Sequence, residues 1–238
     1  MGLLALAVAP GIAICIFIYF KDKYNKEPLG LLVMSFILGM VSTIPALVIQ
    51  TLLGKPSEQL ELQPTAYVVF FAYGIVALSE EGSKFLMLRS YAYRKKAFDD
   101  PFDGIVYAVM VSMGFATLEN IGYVMQHGLA TGIVRMFLSV PAHATFGILM
   151  GYHVGLAKFD AARRSRHYLL ALLLPVLFHG TFDFFLFLGK DWLHVAGALA
   201  SFIIAIRLSK RAIQKKQALS KDYMNGIDSI TQNNNSLI

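Results

Sequence analysis

The chain has 238 residues, of which 56% are hydrophobic and 15% charged, and its formal net charge is +6. That is too little charge to cover a soluble domain of this size. The surplus of Lys and Arg is what the cytoplasmic loops of a membrane protein carry, so it excludes no membrane class and calls for no nucleic-acid partner. No strand-like alternation is sustained enough for an outer-membrane barrel, which leaves an all-α, polytopic transmembrane helical bundle in a lipid bilayer.

Seven apolar runs approach the length of about twenty residues that crosses a bilayer core as helix. In chain order they are Leu3–Phe20, Leu29–Leu53, Thr65–Ser90, Phe102–Met125, Thr131–Ala157, Tyr168–Leu188 and Trp192–Leu208. The first opens MGLLALAVAPG, without the basic n-region of a secretory signal, and is expected to be retained. Leu6 stands where a myristoylation motif needs Ser or Thr. Cys15, the single cysteine, has no partner for an intrachain disulfide and reads as a small hydrophobe. Pro28, Pro64 and Pro101 sit where first helical turns begin, and Asp99 and Asp100 are placed to cap the fourth span.

The loops set an expected orientation. Basic residues cluster after spans one (Lys21, Lys23, Lys26), three (Arg89, Arg94, Lys95, Lys96) and five (Lys158, Arg163, Arg164, Arg166), and in the tail. The intervening loops hold only Lys55, only Lys190, or nothing basic before Arg135. Rich and poor loops alternate, which predicts an outside N-terminus and a cytoplasmic C-terminus. The chain divides into a membrane domain, residues 1–211, and a tail, 212–238. The segment from RLSKRAIQKKQALSK (Arg207) onward is predicted to continue span seven as a basic helix against anionic headgroups, then to end disordered in SITQNNNSLI.

A charge at mid-bilayer costs about 2.5–3.5 kcal/mol on insertion scales, so ionisable residues inside spans are few and turned inward. Here they are Glu80, Glu81 and Lys84 in span three, Glu119 with Asn120 in span four, His143 in span five, and His179 and Asp183 in span six. Glu80, Glu119, His143, His179 and Asp183 lie roughly five to fifteen residues from the outer ends of their spans, at about 1.5 Å per residue. They are therefore predicted to share one layer and converge on one pocket. Glu80 and Lys84 share a helix face, as do His179 and Asp183, whereas Glu81 points about 100° away from Glu80. One glutamate then works on substrate while its neighbour is held by Lys84. Pro141 and Pro175 precede the histidines and are placed to bend their helices. Asn120 reads as interhelical glue, and His153 as structural.

Alone, a Glu–Lys pair serves as a helix pin as readily as a catalyst; three glutamates, two histidines and an aspartate at one depth are too costly for that. The residues leave three functions open: a membrane hydrolase, a proton-coupled transporter, or a non-catalytic scaffold.

Four motifs on successive spans narrow the choice. EEGSK fits EExxK, FATLE fits FxxxE, HATFGILMG supplies a histidine, and HGTFD fits HxxxD. Together with the opening APGIAICIFIYFKDKYNKEPLG they resemble the PrsW family of intramembrane proteases, which is related to the type II CAAX prenyl endopeptidases. The resemblance runs from about Ala9 to span seven. It implies a multi-pass protein of the bacterial cytoplasmic membrane that makes the first, extracytoplasmic cut in a single-span partner such as an anti-sigma factor. The CAAX relatives carry EExxxR and FxxxH; here Lys84 comes one position earlier and Glu119 replaces that histidine.

The expected chemistry is attack of an activated water on a peptide bond. Glu80 or Glu81 is the general base, and His143 and His179 contact the water, the developing oxyanion, or both. Asp183 orients His179, Lys84 fixes the paired carboxylate, and Glu119 is a second acid/base or a ligand. The donor set suffices for Zn²⁺, with His143, His179 and Glu119 as candidate ligands, while a glutamate-type hydrolase needs no metal. There is no HExxH motif to select zinc.

Overall fold

The computed structural model describes residues 2–58, 63–189 and 191–235. Lys190, one of the loop charges used above, lies outside them. Among the described residues there is no strand, and the chain is helical nearly throughout. The helices are α1 (Gly2–Lys21), α2 (Leu29–Val41), α3 (Thr43–Ser57), α4 (Pro64–Val69), α5 (Leu78–Ser90), α6 (Asp103–Phe137), α7 (Ser139–Phe159), α8 (Arg164–Leu188) and α9 (Trp192–Asn235). A π-helical stretch, Phe70–Ala77, joins α4 to α5.

Among the described residues, five helical stretches are long and apolar enough to cross a membrane: Gly2–Lys21, Leu29–Lys55, Asp103–Phe159, Arg164–Leu188 and Trp192–Tyr223. The sequence reading counts seven, and the difference has two sources. The stretch Asp103–Phe159 contains both the fourth and fifth expected spans, because α6 doubles back at Gly128 and then runs through Leu138 into α7 with hardly a break. The third expected span is helical, but it is divided into α4, the π-helical stretch and α5, each under 18 residues.

Helix α6 is the axis of the bundle. Every residue from Asp103 to Thr117 is buried, and apart from Asp103, Ser112 and Thr117 the stretch shows little but apolar or small side chains on every side, as an enclosed helix does. Its neighbours reach it through small residues. A Cβ on Gly39 of α2 would meet the Val111 carbonyl, one on Gly114 the Phe36 carbonyl, and one on Gly151 of α7 the Gly104 carbonyl. Such contacts let backbones touch where lipid offers no hydrophobic drive between helices. Helix α7 runs antiparallel to α6, with Ser112 Oγ donating to the His143 carbonyl at 2.6 Å. Pro141 falls in the first turn of α7, where a missing N–H costs no intrahelical bond, and α8 continues through Pro175.

A second polar cluster closes the far end of α6, and sequence reasoning saw in it only caps. Asp100 Oδ1 does accept the Phe102 N–H at 2.6 Å, and Asp103 Oδ2 accepts those of Asp99 and Asp100. Asp22, Glu27, Asp100 and Asp103 are all buried, however, and Tyr107 donates its hydroxyl to Glu27. Helix α9 docks onto this cluster. Ser220 donates to Asp100 Oδ2 at 2.5 Å, Lys216 is buried, and Ser209 bonds the Thr145 carbonyl. The tail is thus helical as predicted but packs on the protein through Ala205, Ser209, Ala212, Lys216 and Ser220, with Arg207, Lys210, Arg211 and Lys215 exposed. It remains helical to Asn235, where disorder was expected.

Burial pushes the Glu27 carboxyl up to about 7, against hydrogen bonds from Asp103 and Tyr107, and the charges of Asp22 and Asp99 add to the rise. Burial likewise raises Asp22 to about 6. A carboxyl whose folded pKa is raised binds its proton more tightly folded than unfolded, so its stabilisation is complete below the ordinary carboxylate range and is lost as pH climbs to the folded value. The thermal midpoint in detergent is therefore expected to fall as pH rises from about 4.5 to about 7, and the Glu27→Gln variant to show a flatter profile. An equally steep profile in that variant would remove Glu27 as the cause.

Candidate active site

Four elements bring the predicted residues together. The α5 helix carries Glu80, Glu81 and Lys84, all buried, although membrane helices rarely tolerate such a trio. Buried serines ease its packing: Ser79 Oγ bonds the Val76 carbonyl at 3.0 Å and Ser83 Oγ the Ser79 carbonyl at 2.6 Å. Lys84 pairs with Glu81, not with the Glu80 that shares its face at i+4. Its Nζ lies 2.6 Å from Glu81 Oε1 and 4.0 Å from Glu80 Oε2. The ammonium also sits 4.3 Å above the Phe115 ring and 3.3 Å from His143 Nδ1.

His179 of α8 completes the pairing. Its Nδ1 is 2.8 Å from Glu81 Oε1, and its Nε2 is 3.2 Å from Asp183 Oδ2 and 3.9 Å from Glu80 Oε2. Phe146 stacks on the ring at 5.0 Å between centroids, and the His143 ring stands edge-on to it at 5.1 Å. Glu81 is thereby enclosed and fully buried, held by a cation and an imidazole at one oxygen. Glu80 faces a cavity of about 1020 Å³, also lined by Glu119, His143, His179 and Asp183 and walled by Phe71, Phe115 and Phe146. The two adjacent glutamates thus divide into one that is held and one that is presented.

His143 Nε2 lies 3.0 Å from Glu119 Oε2. An ionised carboxylate only accepts and an ammonium only donates, so the ring contacts assign Nε2–H to Glu119 and leave Nδ1 to accept from Lys84. Asn120 is glue, as expected: its Nδ2 donates to the Ala7 carbonyl of α1 at 2.9 Å.

Sequence reasoning missed two residues. Gln50 of α3 donates its amide to Glu80 Oε1 at 3.2 Å and contacts Ser79 Oγ at 3.3 Å. It is the one amide in its long apolar run, which was the available signal. Arg135, counted only toward orientation, lies 2.7 Å from Glu119 Oε2. Gly128 takes a left-handed conformation (φ 76°) that breaks α6 and lets the following segment return Arg135 to the site. The spacing in sequence does not show this reversal. Gly82 has open space beside it, and His127 lines the cavity beside Tyr123.

The family model described as PrsW family intramembrane metalloprotease matches residues 27–209. The chain belongs to this family. Among PrsW relatives, the chain is similar to Protease PrsW of Geobacillus kaustophilus, 39% identical over 214 residues that cover 89% of this chain and 92% of that one. It is similar to Protease PrsW of Bacillus subtilis at 36% over 214 residues, 89% and 95% of the two chains. It is also similar to Protease PrsW of Clostridioides difficile at 36% over 198 residues, 81% and 82%. No solved structure matches significantly. The protein is accordingly a membrane-embedded protease of the PrsW family, with several helices of membrane-spanning length.

The residues present fit a metal. Glu80, His143 and His179 each place one ligand atom so that all three lie within 4.8 Å of one another, all buried. Glu80 Oε2 is a buried oxygen with no hydrogen-bond partner. One carboxylate and two imidazoles is a donor set that zinc hydrolases use. The carboxylate grouped with the imidazoles is Glu80, while Glu119 Oε2 meets Arg135 and His143.

Proposed function

We propose that this PrsW protein hydrolyses a peptide bond of a single-span membrane protein, making the first cut in an anti-sigma factor on the extracytoplasmic side. The observation that carries the chemistry is the division of the glutamate pair, with Glu80 facing a cavity it shares with two imidazoles. Glu80 receives the proton of the attacking water, steadied at Oε1 by Gln50 and unpartnered at Oε2. His179, framed by Glu81 and Asp183, carries two ring protons and donates one to the leaving nitrogen. His143, oriented by Glu119, borders the reacting carbonyl. Lys84 fixes Glu81 and adds positive charge where an oxyanion develops.

Glu80, His143 and His179 would hold a divalent metal; His179 would then be neutral at its ligating nitrogen, and the leaving nitrogen would take its proton from Glu80. When bound, it supplies Lewis-acid polarisation of the carbonyl and a more acidic water. A carboxylate has two oxygens and about four lone-pair sites, enough for Glu80 to share between ligation and proton transfer.

The location of the cut rests on topology. Counting α6 and α7 as two spans and residues 64–90 as another gives seven, and the alternation of basic loops puts the N-terminus outside and the tail, residues 212–238, in the cytoplasm of a bacterial cell. The site then leans toward the outer leaflet, away from the Asp103 end of α6, which is about 24 Å from Glu119 at helical rise.

The test uses purified protein in proteoliposomes with a single-span anti-sigma-factor-like substrate. Cleavage on the extracytoplasmic side, lost on chelation and restored by Zn²⁺, is expected. Proton flux without cleavage would overturn the reading, and activity indifferent to chelation would remove the metal from it.

A further inference from the structure

Arg135 has no place in the chemistry above, yet it is restrained by three separate partners at the edge of the cavity. Its guanidinium bonds Glu119 Oε2 at 2.7 Å through one terminal nitrogen and Asn120 Oδ1 at 3.0 Å through Nε, and it lies 4.0 Å over the Tyr123 ring. Asn120 is anchored in turn to the Ala7 carbonyl. The side chain is 12% exposed, so it is largely committed to these partners.

The same Glu119 oxygen receives His143 Nε2 at 3.0 Å. A lone carboxylate on a helix can swing among rotamers; one clamped by a planar donor fork whose own Nε is tied to the next residue cannot. We propose that Arg135 is a positioning residue. It holds Glu119 so that His143 keeps Nε2–H toward Glu119 and presents Nδ1 to the Lys84 side of the site. The left-handed break at Gly128 exists in service of this contact, since it returns Arg135 to the helix it left. Partners one step removed from ligands or reacting groups cost about 10–100-fold in activity when lost. This assignment rests on the proposed hydrolytic function for its kinetic readout, but not for its spectroscopic one.

The experiment combines kinetics in proteoliposomes with ¹⁵N-histidine NMR on the purified protein. Arg135→Ala is expected to lower kcat about 10–100-fold with KM changed less than about twofold. Arg135→Lys recovers part of that loss, because a point charge reaches Glu119 without the fork. Adding Arg135→Ala to Glu119→Gln is expected to cost little more than Glu119→Gln alone, because the two act through one contact. The ¹⁵N shifts of the His143 ring should report the Nε2–H tautomer in the wild type and a mixture in Arg135→Ala. Multiplicative losses in the double variant, a rise in KM alone, or an unaltered tautomer would each overturn the proposal. If the wild type cleaves nothing, the proposed function fails while the tautomer still decides the role of Arg135. Should Arg135→Ala fail to fold, Arg135→Lys carries both readouts.

Discussion

Glu80→Gln is expected to lower kcat by about 10²–10⁴-fold, the range typical of a removed general acid or base, while substrate binding and the thermal midpoint change little. The amide keeps the shape and the volume of the carboxylate. It still meets Gln50 of α3, but it can no longer take a proton or carry the negative charge that faces the imidazoles. Single-turnover cleavage of a reconstituted substrate separates these outcomes, since it isolates the chemical step from binding. Turnover within tenfold of the wild type would show that the carboxylate facing the cavity is not the one that works. The matching change one position later, Glu81→Gln, is expected to act differently. Glu81 does not line the cavity, and its loss leaves Lys84 without its 2.6 Å partner.

The second large effect is on stability. Lys84 is 1% exposed and Glu81 is 0% exposed, so the pair is wholly desolvated. Breaking a buried ion pair on one side costs about 3–5 kcal/mol, because the remaining charge is left without compensation. Lys84→Met should therefore lower the thermal midpoint by roughly 10 °C for a chain of this size, measured in detergent. Combining it with Glu81→Gln should restore part of the loss, since neither residue then leaves a buried charge unpaired. A Lys84→Met variant as stable as the wild type would mean that Glu81 is neutral in the folded protein or that His179, 2.8 Å from the same oxygen, compensates it alone.

What could be read in the sequence follows from cost. Glu80, Glu81, Lys84, Glu119, His143, His179 and Asp183 were legible because each is expensive inside an apolar run, and expense at a common depth implies a common pocket. The site in fact gathers all seven. Helix boundaries were legible to within a few residues where prolines or loop charges marked them, as at Pro28 and Pro64. The break of the second run at Ser42, between α2 and α3, did carry such a mark, Pro45 in the first turn of α3, which the apolar run around it masked. Arg135 and Gln50 were not legible as site residues. A single arginine or amide at the edge of a span is ordinary, and only the reversal at Gly128 and the approach of α3 give them partners. The acidic cluster at Asp22, Glu27, Asp100 and Asp103 was hidden for the same reason. Its members come from separate loops and look solvated until α9 is seen to cover them. Lys216 looked like a headgroup contact because its burial depends on carboxylates more than a hundred positions earlier in the chain.

The glycine contacts along α6 have a mechanical corollary. Where Gly39, Gly104, Gly114 and Gly151 bring main chain against main chain, no slack remains, and neither α2 nor α7 can slide without collision. Helix α3 is tethered differently, through the reach of Gln50 to Ser79 and Glu80 and through ordinary contact at Phe71. Along α3, then, the chamber wall is joined to its neighbours by side chains, while along α2 and α7 main chain is interlocked with main chain.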